Sequence, residues 1–155
     1  MEALIASGLV VQVLKRVTGR ESPQAATSGT GRWQFFPNIQ QYQKHQSKYY
    51  AFPSGHITTT MATVTVIAEN YPEVGWIRPV GYGIVGLLGI SLVNVGYHWY
   101  SDLPLGIALG YTFGKIIAHP DGFDVGSAGD PAAAKISFGP SITPAGSGFA
   151  MAVTF

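Results

Sequence analysis

An all-α fold, an antiparallel helical bundle embedded in a membrane, is what this sequence predicts, on three observations. Four long apolar segments, at about 2–14, 56–70, 78–97 and 102–118, alternate with polar or turn-rich stretches. Charged residues make up 11% of the 155-residue chain and the mean hydropathy is positive, whereas soluble domains average about 25% charged. Gly106, Gly110 and Gly114 recur every four residues, a spacing that lets helix backbones approach closely inside lipid, where packing replaces the hydrophobic drive.

The first segment ends at Lys15. It has no basic amino-terminal region and no small-residue cleavage site, so it does not read as a signal peptide, and the core reads as amino-terminally truncated. From Gln24 to Tyr50 runs a polar, aromatic-rich loop that contains Arg32-Trp33-Gln34-Phe35-Phe36-Pro37. Loops of this length serve as lids or binding loops. Here the aromatics are placed to touch an acyl or prenyl chain and Lys44 or Lys48 a headgroup; the alternative is a folded cap with exposed charges.

The segment from His56 to Asn70 carries Thr58, Thr59, Thr60, Thr63 and Thr65, whose hydroxyls bond back to their own helix or across to neighbours, so it reads as interior. From Pro79 to Gly114 the only formally charged residue is Asp102. The stretch 79–97 approaches the roughly 30 Å of a bilayer core, and 102–118 falls a little short. Beyond a helical unit at 1–119, composition shifts to Gly, Ala, Ser, Asp and Pro, and 120–155 reads as a separate tail. Within it Ile136 and Phe138, then Phe149, Met151, Val153 and Phe155, alternate around Pro140 to Gly148, the period of a β-hairpin. His45 and His119 read as solvated.

Chemistry concentrates in two short stretches. In Pro53-Ser54-Gly55-His56, Ser54 reads as a helix N-cap and His56 as a first-turn residue, so an anion docked there meets backbone N–H groups, a hydroxyl and an imidazole. In the second stretch, His98 and Asp102 flank a break between apolar segments. A carboxylate bonded to one ring nitrogen leaves the other free to attack, which makes His98 a nucleophile candidate. Taken singly, each stretch also reads as a capped helix start or a structural hydrogen bond. Lys15 ends the first segment, His56 begins the second, His98 ends the third and Asp102 begins the fourth. In an antiparallel bundle that alternation gathers all four at one end.

These blocks resemble the type 2 phosphatidic acid phosphatase family, which is related to vanadium haloperoxidases and bacterial acid phosphatases. The family pattern is Lys-x6-Arg-Pro, then Pro-Ser-Gly-His, then Ser-Arg-x5-His-x3-Asp. Here the second block is intact; Ser22 stands for arginine in the first, which runs from Lys15 to Pro23, and Leu92 stands for it in the third, which runs from Ser91 to Asp102. The resemblance covers about 14–118. It implies that His98 attacks phosphorus, Asp102 orients it and His56 protonates the leaving oxygen, while Lys15, Ser54 and the Gly55 amide hold the phosphate. Arg20 and Arg32 are the candidates to supply the missing guanidinium from shifted positions, a role that demands bidentate phosphate geometry.

The implied activity is hydrolysis of a phosphate monoester or pyrophosphate of a lipid, with no cofactor. The alternatives are a soluble periplasmic acid phosphatase of the same superfamily and a non-catalytic membrane protein that binds lipid phosphate. The absence of cysteine excludes a thiolate zinc site, and the scattered carboxylates do not suit a Mg²⁺-dependent phosphatase. A net charge of +1 gives no nucleic-acid footprint. The cation bias toward the site end points to the cytoplasm by the positive-inside rule; the resemblance points to an inner membrane with the site facing the periplasm.

Overall fold

The computed structural model describes residues 2–119, 123–124, 135–143 and 146–154. Its helices are α1 (Glu2–Thr18), α2 (Ile39–Lys44), α3 (Gly55–Asn70), α4 (Ile77–Asn94) and α5 (Leu103–Ala118). The protein is mostly helical, as the apolar segments predict. Two boundaries move. α1 runs past Lys15 to Thr18, and α4 stops at Asn94 rather than near 97, because the amides of Tyr97 and His98 both turn back to the Leu92 carbonyl.

α3 is central and packs against α5, α4 and α1. Its buried side, Ile57, Thr58, Met61, Ala62, Thr65 and Ala68, explains the mixture of threonines and apolar residues. Thr58 and Thr65 donate to the Ser54 and Met61 carbonyls, which satisfies their hydroxyls inside the helix. The expected glycine stripe lies against this helix: a Cβ on Gly110 would stand 2.4 Å from the Thr58 carbonyl oxygen, and one on Gly114 would stand 2.5 Å from the Thr65 Cβ. Ile57, Met61, Val85 and Leu92 close the apolar core.

Among the described residues, α4 is the one helix long and apolar enough to cross a membrane, with a mean hydropathy of 1.3 over 18 residues. It buries a narrow stripe of Gly81, Val85, Gly89 and Leu92, while Val80, Ile84, Leu87 and Ile90 are exposed. α3 and α5 have 16 residues each, roughly 24 Å at 1.5 Å per residue.

The loop between α1 and α3 is a folded cap. It contains α2, whose Asn38 side chain caps Gln40, and it bridges Arg20 to Trp33 and Arg20 to Tyr50. Farther along, β1 (Phe123–Asp124), β2 (Lys135–Thr143) and β3 (Gly146–Thr154) pair antiparallel in that order. Ile136 opposes Val153 and Phe138 opposes Met151; the ladder continues through Pro140 and Gly148, expected as connection, up to Thr143 opposite Gly146. Residues 144–145 and the Phe155 end of the expected hairpin lie outside the described residues.

Candidate active site

The ends of α1 and α4 and the starts of α3 and α5 meet. The Ser54 amide donates to the Asp102 carbonyl at 3.1 Å, which ties the start of α3 to the start of α5. The Lys15 stem passes Gly55, whose missing Cβ would lie 3.8 Å from the lysine Cε. At the end of α1, Gly19 turns the chain with a φ of +50°, and a Cβ there would stand 2.1 Å from the Gln34 carbonyl oxygen. Only glycine fits that turn, and the turn sends Arg20 back toward Asp102.

Lys15 is fully buried. Its Nζ donates to the Tyr50 carbonyl at 2.5 Å and lies 3.6 Å from the centre of the Tyr50 ring. Burial lowers its pKa to about 7, against the opposing pull of the Asp102 charge. Lys15, Tyr50, Gly55 and His56, with Gln12 and Thr59, line a cavity of about 240 Å³. His56 is exposed on the first turn of α3 with its ring centre 6.4 Å from that of His98. Its pKa is lowered by partial burial first, then by His98 and Lys15.

Ser54 occupies the N-cap position of α3, yet its hydroxyl makes no capping bond: Oγ is buried and has no hydrogen-bond partner. The expected cap is therefore corrected to an unpartnered hydroxyl at the helix start. Asp102, at the N-cap position of α5, makes no capping bond to that helix.

The relation of His98 to Asp102 also needs correction. His98 Nδ1 faces the Ala51 carbonyl at 2.7 Å, whereas the nearer Asp102 oxygen is 3.6 Å away. A carbonyl accepts only, so Nδ1 carries a proton, and in the neutral imidazole the lone pair is on Nε2. The Asp102 oxygens accept from other donors, Oδ1 from Arg20 Nη1 and Oδ2 from the Trp99 amide at 2.7 Å. The carboxylate acts on the imidazole as a neighbouring buried charge.

Arg20 is drawn into the site, at Asp102. Besides that ion pair, its guanidinium donates to Ser101 Oγ at 2.7 Å and to the Thr30 carbonyl at 3.0 Å, and it lies between the rings of Trp33 and Trp99. Its buried Nε has no partner. Arg32 is not brought there: it is exposed and lines a different cavity with Glu21 and Lys48. At the two positions where the family pattern has arginine, Ser22 donates to the Ser47 carbonyl and Leu92 packs in the apolar core.

Three contributors escaped the sequence reading. Tyr50 holds Lys15, the Ala51 carbonyl sets the His98 tautomer, and Glu21 folds the 27–32 turn by accepting from the Thr27 and Arg32 amides. The tryptophans around Arg20 were the only readable signal, since aromatic faces attract guanidinium groups. A backbone carbonyl carries none.

A buried histidine, its neighbouring carboxylate and a lysine thus stand together beside a Pro-Ser-Gly-His helix start. The chain belongs to the PAP2 superfamily, whose family model matches residues 1–121. It is 33% identical over 115 residues to a lipid A 1-phosphatase of Rhizobium johnstonii, an alignment that covers 74% of this chain and 43% of that protein. The lipid A 1-phosphatase of Rhizobium etli is 32% identical over 115 residues, 74% of this chain and 46% of the relative, and that of Porphyromonas gingivalis 33% over 67 residues, 43% and 15%. The chain thus spans less than half the length of these curated relatives. No solved structure matches it significantly.

Proposed function

We propose that the protein is a lipid phosphatase that works without a metal, through a phosphohistidine. The observation that carries this reading is the His98 ring: Nδ1 is committed to a carbonyl, which leaves Nε2 as the nitrogen that can attack, and His56 and Lys15 stand on a cavity beside it. In the first step Nε2 attacks phosphorus and the P–O bond to the lipid breaks, while His56 gives its proton to the departing oxygen. In the second, His56 takes a proton from water, the hydroxide attacks phosphorus, and the P–N bond breaks. Lys15, the Ser54 hydroxyl and the Gly55 amide hold the phosphate oxygens at the positive end of α3. A dianionic phosphate beside His56 and Lys15 favours the charged form of both and so restores the proton His56 must donate.

Arg20 serves this site through Asp102, with Nε as its one buried unpartnered donor. The names of the lipid A 1-phosphatase relatives support a phosphorylated lipid as substrate. The exposed apolar face of α4 supports a membrane setting, and the periplasmic side is proposed for the site. The inward-turned Leu92 and Ser22 favour one other reading, a protein that binds lipid phosphate without cleaving it.

Trapping of ³²P-phosphate from labelled substrate on protein quenched in alkaline detergent, where a P–N bond survives, separates the two. The expected result is a label on the wild type that His98→Ala abolishes, with turnover down by at least about three orders of magnitude. His56→Ala should slow esters with poor leaving groups far more than those with good ones. Wild-type turnover in His98→Ala ends the mechanism.

A further inference from the structure

A second cavity, of about 440 Å³, lies in the cap, outside the one that holds Lys15 and His56. Arg32 and Lys48 stand on its wall, and among the described residues neither forms an ion pair. The one carboxylate there, Glu21, is buried and already accepts from the Thr27 amide at 3.1 Å, the Thr27 hydroxyl at 3.1 Å and the Arg32 amide at 3.0 Å. It shapes the turn that carries Arg32 and is not available as a ligand-like partner for both cations.

The two cation-bearing segments come from far apart and are sewn to one extended strand. The Glu21 amide donates to the Arg32 carbonyl at 2.9 Å, and the Ser22 amide to the Ser47 carbonyl at 2.9 Å, beside Lys48. The same strand delivers Arg20 to Asp102, and the Trp99 indole donates to the Glu21 carbonyl at 2.8 Å. The positions of Arg32 and Lys48 are thus tied to the chain that carries His98. Two cations and one carboxylate share this concave, polar surface, and with the Glu21 oxygens already bound by the turn its wall keeps a net positive charge, which suits an anion.

Resting on the phosphatase reading, we propose that this cavity is a second anion subsite, which holds a phosphate group of the substrate headgroup other than the one that is cleaved. Arg32 supplies a bidentate fork and Lys48 a point charge. Thr27 and Gln34 line the same cavity with polar side chains.

Inorganic phosphate, titrated by calorimetry into the full chain carrying Lys15→Ala with Ser54→Ala to weaken the catalytic cavity, reads this subsite. Adding Arg32→Ala with Lys48→Ala should weaken binding at least tenfold, and Arg32→Lys with Lys48→Arg should retain it. Unchanged binding in the alanine pair overturns the proposal. With Lys15 and Ser54 intact, the ratio of kcat/KM for a lipid bearing two phosphates to that for its singly phosphorylated counterpart should fall at least fivefold in the alanine pair. A constant ratio alongside weakened phosphate binding means that the site takes free phosphate, and it overturns the headgroup assignment. The titration requires no turnover, so it stands or falls separately from the phosphohistidine.

Discussion

The helices carry a charged cluster at each of two ends, and the clusters are built on opposite terms. Around Glu69, at the end of α3, Arg78 and Lys115 each approach to 3.0 Å and His119 to 2.9 Å. Burial alone would raise the Glu69 pKa, but hydrogen bonds from His119 and Lys115 and the charges of Lys115 and Arg78 lower it. His119, expected to be merely solvated, is part of this clamp. Every group there has a partner and stands near water. At the other end, Lys15, Arg20, His98 and Asp102 are at most 5% exposed, Lys15 has lost most of its basicity, and Ser54 Oγ and Arg20 Nε lack partners. One end spends its charge on holding helices together. The other keeps donors unspent in a desolvated place, the arrangement that stabilises an incoming anion.

The contrast breaks first on the buried ion pair. Arg20→Ala leaves Asp102 charged, buried and uncompensated, and chemical denaturation should show a loss of about 3–5 kcal/mol. A loss below about 1 kcal/mol would put the site pair on the same footing as the surface clamp. Next comes the helix seam that joins the two ends. Gly110→Ala drives a Cβ into the Thr58 carbonyl and should cost about 1–3 kcal/mol, whereas Gly83→Ala meets open space and should add about 1 kcal/mol.

Lys15 provides a test in pH. Its pKa of about 7 in the fold means that it is neutral above that value, and an oxyanion can bind there only with uptake of a proton. Sulfate, whose own charge is constant over this range, should therefore bind about tenfold more weakly for each pH unit above 7. Lys15→Arg should flatten that slope. Folding responds in the opposite sense: the lysine pKa is depressed relative to the unfolded chain, so the cost of burying its charge is full below about 7 and fades as pH rises toward the unfolded value. The smallest effect belongs to the exposed clamp, where Arg78→Ala should change stability by about 0–1 kcal/mol, screened further by salt.

Much of the fold was legible because apolar length and turn residues act locally. The segment at 56–70 appears as α3 almost to the residue, and the glycine stripe of α5 sits where α3 crosses it. The end of α4 was misread because Val95 and Tyr97 continue the apolar run, while the stop is made by amides returning to the Leu92 carbonyl. Residue types at the site were equally legible, but their bonds were not. His98 and Asp102, four apart in the chain, invited a direct hydrogen bond; the actual partner of the ring is the carbonyl of Ala51, 47 residues earlier.

The order of residues along the chain by itself determined the helices, the gathering of Lys15, His56, His98 and Asp102 at one end, and membership of a phosphate-handling family. The helices follow from periodicity, a local property, the gathering from the alternation of short connections in a bundle, and the family from its motif blocks and the match of its model. Only the tertiary structure decided that Asp102 pairs with Arg20, that Ser54 caps nothing, and that Arg32 belongs to a different cavity. Each of these outcomes is a competition among buried donors and acceptors for a limited set of partners, and its result depends on distances that exist only once the chain is packed.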